Sequence, residues 1–255
     1  MLIAVTSGKA APGVTTSVCA LAAHWPRALL LADCDVAGGD IAPGLMAGRV
    51  GADTGLLSWS TVVRNEVGAK VAASALLSHA VQVPEQPMLG LLPGFGTAAQ
   101  GASFTPATWE RLAGALGAAE ASLGRDVLVD SGRLVGYRGC WPVLLRADHV
   151  VLAVRPSVRS VHAAQDAVHR IRAELGDLTS VSVLVIGSGP YSSAEVAGAL
   201  DLPVGGELPH DPGAASALSD GAVLARRALR RSLLMQAASA LAQRLTTRPQ
   251  SSVPE

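Results

Sequence analysis

The residues with the clearest chemical potential lie just after the first apolar run. Gly8-Lys9-Ala10-Ala11-Pro12-Gly13-Val14-Thr15-Thr16 follows Leu2-Ile3-Ala4-Val5 and leads into an alanine-rich segment of helical spacing through about Ala23. A phosphate-binding loop has the form G-x-x-x-x-G-K-[ST] between a strand and a helix. Its backbone N–H groups cradle phosphate oxygens, its lysine reaches the β and γ phosphates, and its hydroxyl holds magnesium. Gly8, Gly13 and Thr15 fit that pattern and Thr16 follows it, but the lysine position holds Val14. Lys9 and Lys70 are the only lysines in the chain, which makes Lys9, inside the loop, conspicuous.

Acidic residues gather at the ends of later apolar runs. Leu29-Leu30-Leu31-Ala32-Asp33-Cys34-Asp35 is followed by Gly38-Gly39-Asp40, and Asp126-Val127-Leu128-Val129-Asp130-Ser131-Gly132 places a second carboxylate at a strand exit. In an open parallel sheet, ligands bind at the carboxyl ends of the strands, so an aspartate at a strand exit, as Asp130 is, is well placed to face one.

The positioning elements follow from periodicity. Apolar runs at 2–6, 28–32, 88–92, 126–130, 149–154 and 181–186 read as strands and alternate with segments of helical spacing. This pattern predicts an α/β fold, a mostly parallel sheet with helices on both faces. Thr105 before Pro106 predicts a helix start, with Gly124 as its stop, and Ser192 or Ser193 a cap for a helix ending near Leu200. The stretch 94–103 reads as a flexible surface loop. Residues 222–245 read as one helix with an apolar face of Leu224, Leu229, Leu233, Ala237 and Leu241. The expectation is a single domain over 1–245 and a disordered tail over 246–255.

The composition is 49% hydrophobic and 16% charged, with no formal net charge. A globally basic surface for nucleic acid or acidic membrane is thereby excluded. Three scattered cysteines, Cys19, Cys34 and Cys140, make neither a disulfide framework nor a zinc knuckle and are expected to be buried. No leader and no membrane span is expected, and the default compartment is the cytoplasm.

The segment Lys9 to Thr16 resembles, without a gap, the deviant phosphate loop K-G-G-x-G-K-T-T of the MinD/ParA family of P-loop ATPases. The resemblance implies that Lys9 reaches across a nucleotide-sandwich homodimer to the partner's phosphates. It further implies that Asp35 orients the attacking water, that Asp33 lies near magnesium, and that Asp130 holds magnesium through water. Gly38-Gly39-Asp40-Ile41-Ala42 resembles a continuation common in the CpaE/TadZ branch, whose members position pilus or secretion machinery. Residues 147–157 with Ser160 resemble a further family segment. Leu208-Pro209-His210-Asp211 resembles the loop beside the adenine, implying contacts from Pro209 and Asp211, while Gly187 replaces the asparagine that usually reads the base.

The resemblance covers about residues 1–245 and implies an ATP- and magnesium-dependent dimerising switch for partitioning, division-site placement or machinery localisation. Loss of the loop lysine to Val14 implies weak or absent hydrolysis, since positioning and electrostatics supply nearly all of phosphoryl-transfer catalysis. The alternative is a nucleotide-independent pseudo-ATPase scaffold. Arg226, Arg227, Arg230 and Arg231 form a candidate basic stripe for nonspecific DNA. The tail after Leu245 has no apolar face, so direct membrane attachment of the MinD kind is not expected.

Overall fold

A computed structural model describes residues 1–8, 13–46, 49–51, 53–64, 68–134, 139–175, 180–220 and 226–247. In chain order they form β1 (Leu2–Ser7), α1 (Val14–Ala22), β2 (Leu29–Asp33), α2 (Ile41–Met46), α3 (Gly55–Val62), α4 (Ala69–His79), β3 (Val81–Gln82) and β4 (Leu89–Leu92). There follow α5 (Ala98–Ser103), α6 (Pro106–Gly117), α7 (Ala119–Leu123), β5 (Asp126–Arg133), α8 (Trp141–Leu145), β6 (His149–Val154) and α9 (Val158–Leu175). The chain closes with β7 (Ser180–Ile186), α10 (Ser193–Leu200), β8 (Val204–Leu208), α11 (Pro212–Ser219), α12 (Arg226–Arg230) and α13 (Leu233–Thr247).

The strands make one sheet in the order β3-β4-β2-β5-β1-β6-β7-β8. Every neighbouring pair is parallel except β3 with β4. All six expected strands are present. The two that were not expected lie at the sheet edges: β3 has two residues, and β8 is interrupted by Gly205 and Gly206, so neither makes an apolar run. Those glycines serve packing, because a Cβ on Gly206 would lie 2.7 Å from the Leu241 side chain of α13.

Alternation along the central strands divides the core into two layers. Ile3, Val5, Leu29, Leu31 and Leu128 face one layer, which α1 and α13 complete through Val14, Val18, Leu21, Leu234 and Leu241. Leu2, Ala4, Leu30, Ala32, Val127 and Val129 face the other, against α3, α4, α6 and α9 through Trp59, Leu76, Leu112 and Ile171. Strands buried on both faces account for the hydrophobic composition. Cys19, Cys34 and Cys140 are buried and unpaired, as expected.

Local signals held at several helix ends. Thr105 caps α6 through the Thr108 N–H, Gly124 ends α7 at φ 63°, and Ser192 and Glu195 form a reciprocal capping box on α10. The helix expected from Thr105 to Gly124 is divided at Ala118.

Two expectations are corrected. The supposed loop 94–103 contains α5, capped by Thr97, because Gly101 lets the helix sit against Val36, whose carbonyl would be 2.7 Å from a Cβ there. The supposed continuous helix 222–245 is two helices. Ser232 accepts the Met235 N–H and starts α13 afresh, so the apolar phase resets: Leu234, Met235, Ala238 and Leu241 are buried while Leu233 is 67% exposed. Helix α13 also continues to Thr247, past the expected boundary at 245, and Leu224 and residues 248–255 lie outside the described residues. No helix among the described residues is long and apolar enough to cross a membrane.

Candidate functional site

The site lies where β1, β2 and β5 end beneath the N-terminus of α1. Asp33 and Asp130 are in register on β2 and β5, and Val5 of β1 is in register with Asp130. Alternation places Asp33 beyond Leu29 and Leu31, and Asp130 beyond Leu128, so both carboxylates face the layer that α1 covers. Each of the two residues is 1% exposed.

Their hydrogen bonds differ. Asp33 accepts the N–H groups of Asp35 and Ile41 at 3.4 Å each, which ties the loop between β2 and α2 back onto the strand end. Gly39 and Gly94 make this clamp possible, since a Cβ on either would lie within 3 Å of the Asp33 carboxylate. Asp130 Oδ1 accepts the Gly132 N–H at 2.9 Å, and Oδ2 has no hydrogen-bond partner among the described residues. Ser7 Oγ and Ser131 Oγ are buried and likewise have no hydrogen-bond partner among the described residues. Asp35 is half-buried, accepts the Ala37 N–H at 2.8 Å, and lies against Gly132.

Burial first, and then the Asp130 charge, push the Asp33 carboxyl well above its ordinary range. Burial lifts Asp130 to about 6 even though the neighbouring Thr15 hydroxyl and the Gly132 N–H pull it down. Asp35 is raised by burial, partly offset by the Ala37 N–H and by Arg133. Adjacent buried carboxylates with a free oxygen are costly unless a cation neutralises them. Among the described residues no three His, Cys, Asp or Glu side chains converge as a metal-binding group. Magnesium does not need such a cage, because it is commonly held by one or two carboxylates together with phosphates and water. Thr15, Asp33 and Asp130 fit that role.

The phosphate loop is framed by two glycines with distinct reasons. A Cβ on Gly8 would lie 2.4 Å from the Ala163 carbonyl, so α9 requires glycine at the exit of β1. Gly13 has φ 80°, a left-handed conformation that favours glycine, and its carbonyl accepts both the N–H and the hydroxyl of Ser17. The N-cap of α1 is Gly13, and among the described residues no side chain caps the helix, whose N-terminus is its positive end. Thr15 and Thr16 are half-buried there. Val14 is 2% exposed and belongs to the apolar layer with Val18 and Leu21. Lys9, the expected trans-acting lysine, lies outside the described residues with Ala10, Ala11 and Pro12.

The expected adenine loop follows β8. Asp211 Oδ1 accepts the Ala214 N–H and caps α11, Pro209 is half-buried, and Gly187 at φ 81° donates its N–H to the Leu208 carbonyl. The candidate basic stripe lies on and just after α12 and not on the last helix, α13. Arg227 and Arg230 are exposed on α12, Arg231 is exposed just after it, and the side chain of Arg226 lies outside the described residues. The pKa of His24, which follows α1, is lowered by burial and then by the charge of Arg230.

Four contributors were missed in the sequence reading: Gly39, Gly94, Gly132 and Arg133. Glycine soon after an aspartate-bearing strand end was the available signal for Gly39 and Gly132, whereas Gly94 follows β4, which carries no aspartate. Arg133 carried no signal, because its placement depends on a strand irregularity.

No protein-family model and no curated protein sequence matches the chain. Solved structures do. The MinD cell division protein of Aquifex aeolicus superposes with a TM-score of 0.73 at 20% identity, over 99% of this chain and 98% of that one. A ParA family ATPase from Chlorobium tepidum TLS gives a TM-score of 0.75 at 19% identity, over 96% and 98%. The septum site-determining protein MinD of Pyrococcus horikoshii OT3, complexed with Mg-ADP, gives 0.67 at 17% identity over 96% of each chain. With its eight-stranded, mostly parallel sheet flanked by helices, the chain has the P-loop NTPase fold of the MinD and ParA proteins.

Proposed function

We propose that the chain is a magnesium- and ATP-binding switch that dimerises to position a cargo, with weak or absent hydrolysis. The observation that carries this reading is the buried pair Asp33 and Asp130 beside Thr15, with Asp130 Oδ2 having no hydrogen-bond partner and α1 no side-chain cap among the described residues. Such an arrangement costs stability unless a divalent cation and an anion complete it. Two of the structural neighbours were solved with nucleotide, one with Mg-ADP and a Borrelia burgdorferi plasmid partition protein with AMPPNP, which supports the choice of ligand. Lys9 is the proposed cross-dimer contact, Asp35 the water-positioning group, and Pro209 and Asp211 the base-side contacts. Gly39-Asp40-Ile41-Ala42 inclines the reading towards the CpaE/TadZ-like branch, and the missing lysine at Val14 supports reading the loop as a degenerate deviant one.

A second reading, a nucleotide-independent scaffold, is favoured by one specific observation. Val14 does not merely lack charge; it is built into the apolar layer beneath α1. Titration calorimetry with Mg-ATP, run with sedimentation on the same samples, separates the two. Heat of binding accompanied by a shift to dimer, both lost in Lys9→Ala, supports the switch. No heat in the wild type and none in Val14→Lys supports the scaffold. DNA contact through Arg226, Arg227, Arg230 and Arg231 is tested separately by salt-sensitive retention of DNA on a filter.

A further inference from the structure

A phosphate site of this fold needs a cation near the phosphates, and Val14 does not supply one. The exit of β5 places another candidate there. Between β1 and β5 the register slips: Val5 pairs with Asp130, but Ser7 pairs with Arg133, so two steps on β1 span three on β5. The extra residue is taken up around Gly132, which has φ 56° and whose carbonyl accepts the Thr6 hydroxyl at 3.1 Å. This is a β-bulge with a left-handed glycine, a device that re-aims the side chains after it.

The bulge reverses the parity of the strand. Under strict alternation Arg133 would share the face of Ser131, opposite to Asp130. Paired instead with Ser7, it stands on the face of Ser7 and Asp130, which is the face covered by α1. The Leu134 N–H donates to the Ser7 carbonyl at 2.9 Å and fixes this exit beside the start of the loop. Arg133 is exposed, and among the described residues no carboxylate is within ion-pairing distance of it. Its charge is nevertheless felt by Asp35, whose carboxylate lies directly over Gly132.

We propose that Arg133, turned onto the phosphate face by the Gly132 bulge, is the cation that binds the polyphosphate of the ligand in place of the absent loop lysine. The inference rests on the nucleotide-binding reading above. A guanidinium suits the task, since it stays charged and offers a planar fork of donors to phosphate oxygens.

The test is calorimetric titration of wild type, Arg133→Ala, Arg133→Lys and, as a charge-matched control on α6, Arg111→Ala. Mg-ATP, Mg-ADP and magnesium tripolyphosphate are the ligands. Thermal melts confirm that each variant is folded. The expected result is a loss of about 10- to 100-fold in ATP and tripolyphosphate affinity for Arg133→Ala, partial recovery for Arg133→Lys, and no change for Arg111→Ala. Wild-type and Arg133→Ala proteins that bind Mg-ATP equally would overturn the role of Arg133 and leave the nucleotide reading standing. Arg133-dependent binding of tripolyphosphate without binding of ATP would uphold the cation and sink the nucleotide reading. No binding of either ligand by the wild type overturns both.

Discussion

Asp33 and Asp130 stand in register on neighbouring parallel strands, each 1% exposed, and their carboxylates share one buried space beneath α1. Two like charges so placed oppose folding unless a proton or a cation intervenes. That gives the metal-free protein a pH dependence whose sign is fixed.

Burial raises Asp130 to about 6 in the folded chain, against about 4 for an unfolded aspartate. Between those values the folded state binds more protons than the unfolded state, so stability is fully present below about pH 4 and is lost as pH rises through about 6. The loss from this group is on the order of 2–3 kcal/mol. Thermal denaturation of the metal-free protein should show a contribution favouring pH 5 over pH 7.5. Asp130→Asn should abolish that contribution and melt higher than wild type at pH 7.5. Asp33 keeps its own burial-raised contribution in Asp130→Asn, so the excess stability at low pH should shrink and not vanish, and an excess as large as that of wild type would contradict the assignment.

Gly132 carries two constraints at once. Its φ of 56° disfavours any Cβ, and a Cβ built there would lie 2.2 Å from the Asp35 carboxyl carbon. Gly132→Ala should therefore cost about 1–3 kcal/mol and displace Asp35 and the following turn. Chemical denaturation measures the first effect. Mg-ATP titration measures the second, and binding that is unchanged in a destabilised variant would separate the bulge from the site.

At the other end of the molecule, Ser232 resets the helix phase. Its hydroxyl accepts the Met235 N–H at 3.2 Å, so Ser232→Ala should lower stability by about 1 kcal/mol. Ser239→Ala, inside α13, serves as the control and should change little. Equal denaturation midpoints for wild type and Ser232→Ala would mean that packing of Leu234 and Met235 alone sets the start of α13.

These residues also explain what the sequence made legible. The central strands announced themselves because each is buried on both faces and reads as an unbroken apolar run, with Asp33 and Asp130 as the abrupt polar ends of two of them. Phosphate-loop glycines were visible by spacing. Strand β8 was hidden because Gly205, which leaves room for Ser182 of β7, and Gly206, needed for the approach of α13, break the run. Helix α5 was hidden because Gly101, needed for the approach of Val36, mimics a loop. Arg133 could not be placed at all, since one extra residue in β5 inverts the face on which it stands, and strand parity is a property of the pairing.

Val14→Lys tests the opposition between a degenerate and a discarded site. The substitution removes a valine from the apolar layer, a loss of about 1–2 kcal/mol, and sets an ammonium near the positive end of α1, a further cost of about 0.3–1 kcal/mol. The buried carboxylates of Asp33 and Asp130 offset both, because a neighbouring cation relieves the burial cost of their charges. These opposing effects are of similar size, so the melting temperature of the metal-free variant should move by only a few degrees. The effect of ligand should differ much more. If the site is degenerate but intact, Mg-ATP should bind the variant at least about 10-fold more tightly than wild type and raise its melting temperature accordingly. If α1 has settled onto its apolar layer so that the loop no longer accepts phosphate, the variant should gain nothing from Mg-ATP, and the scaffold reading is the one that stands.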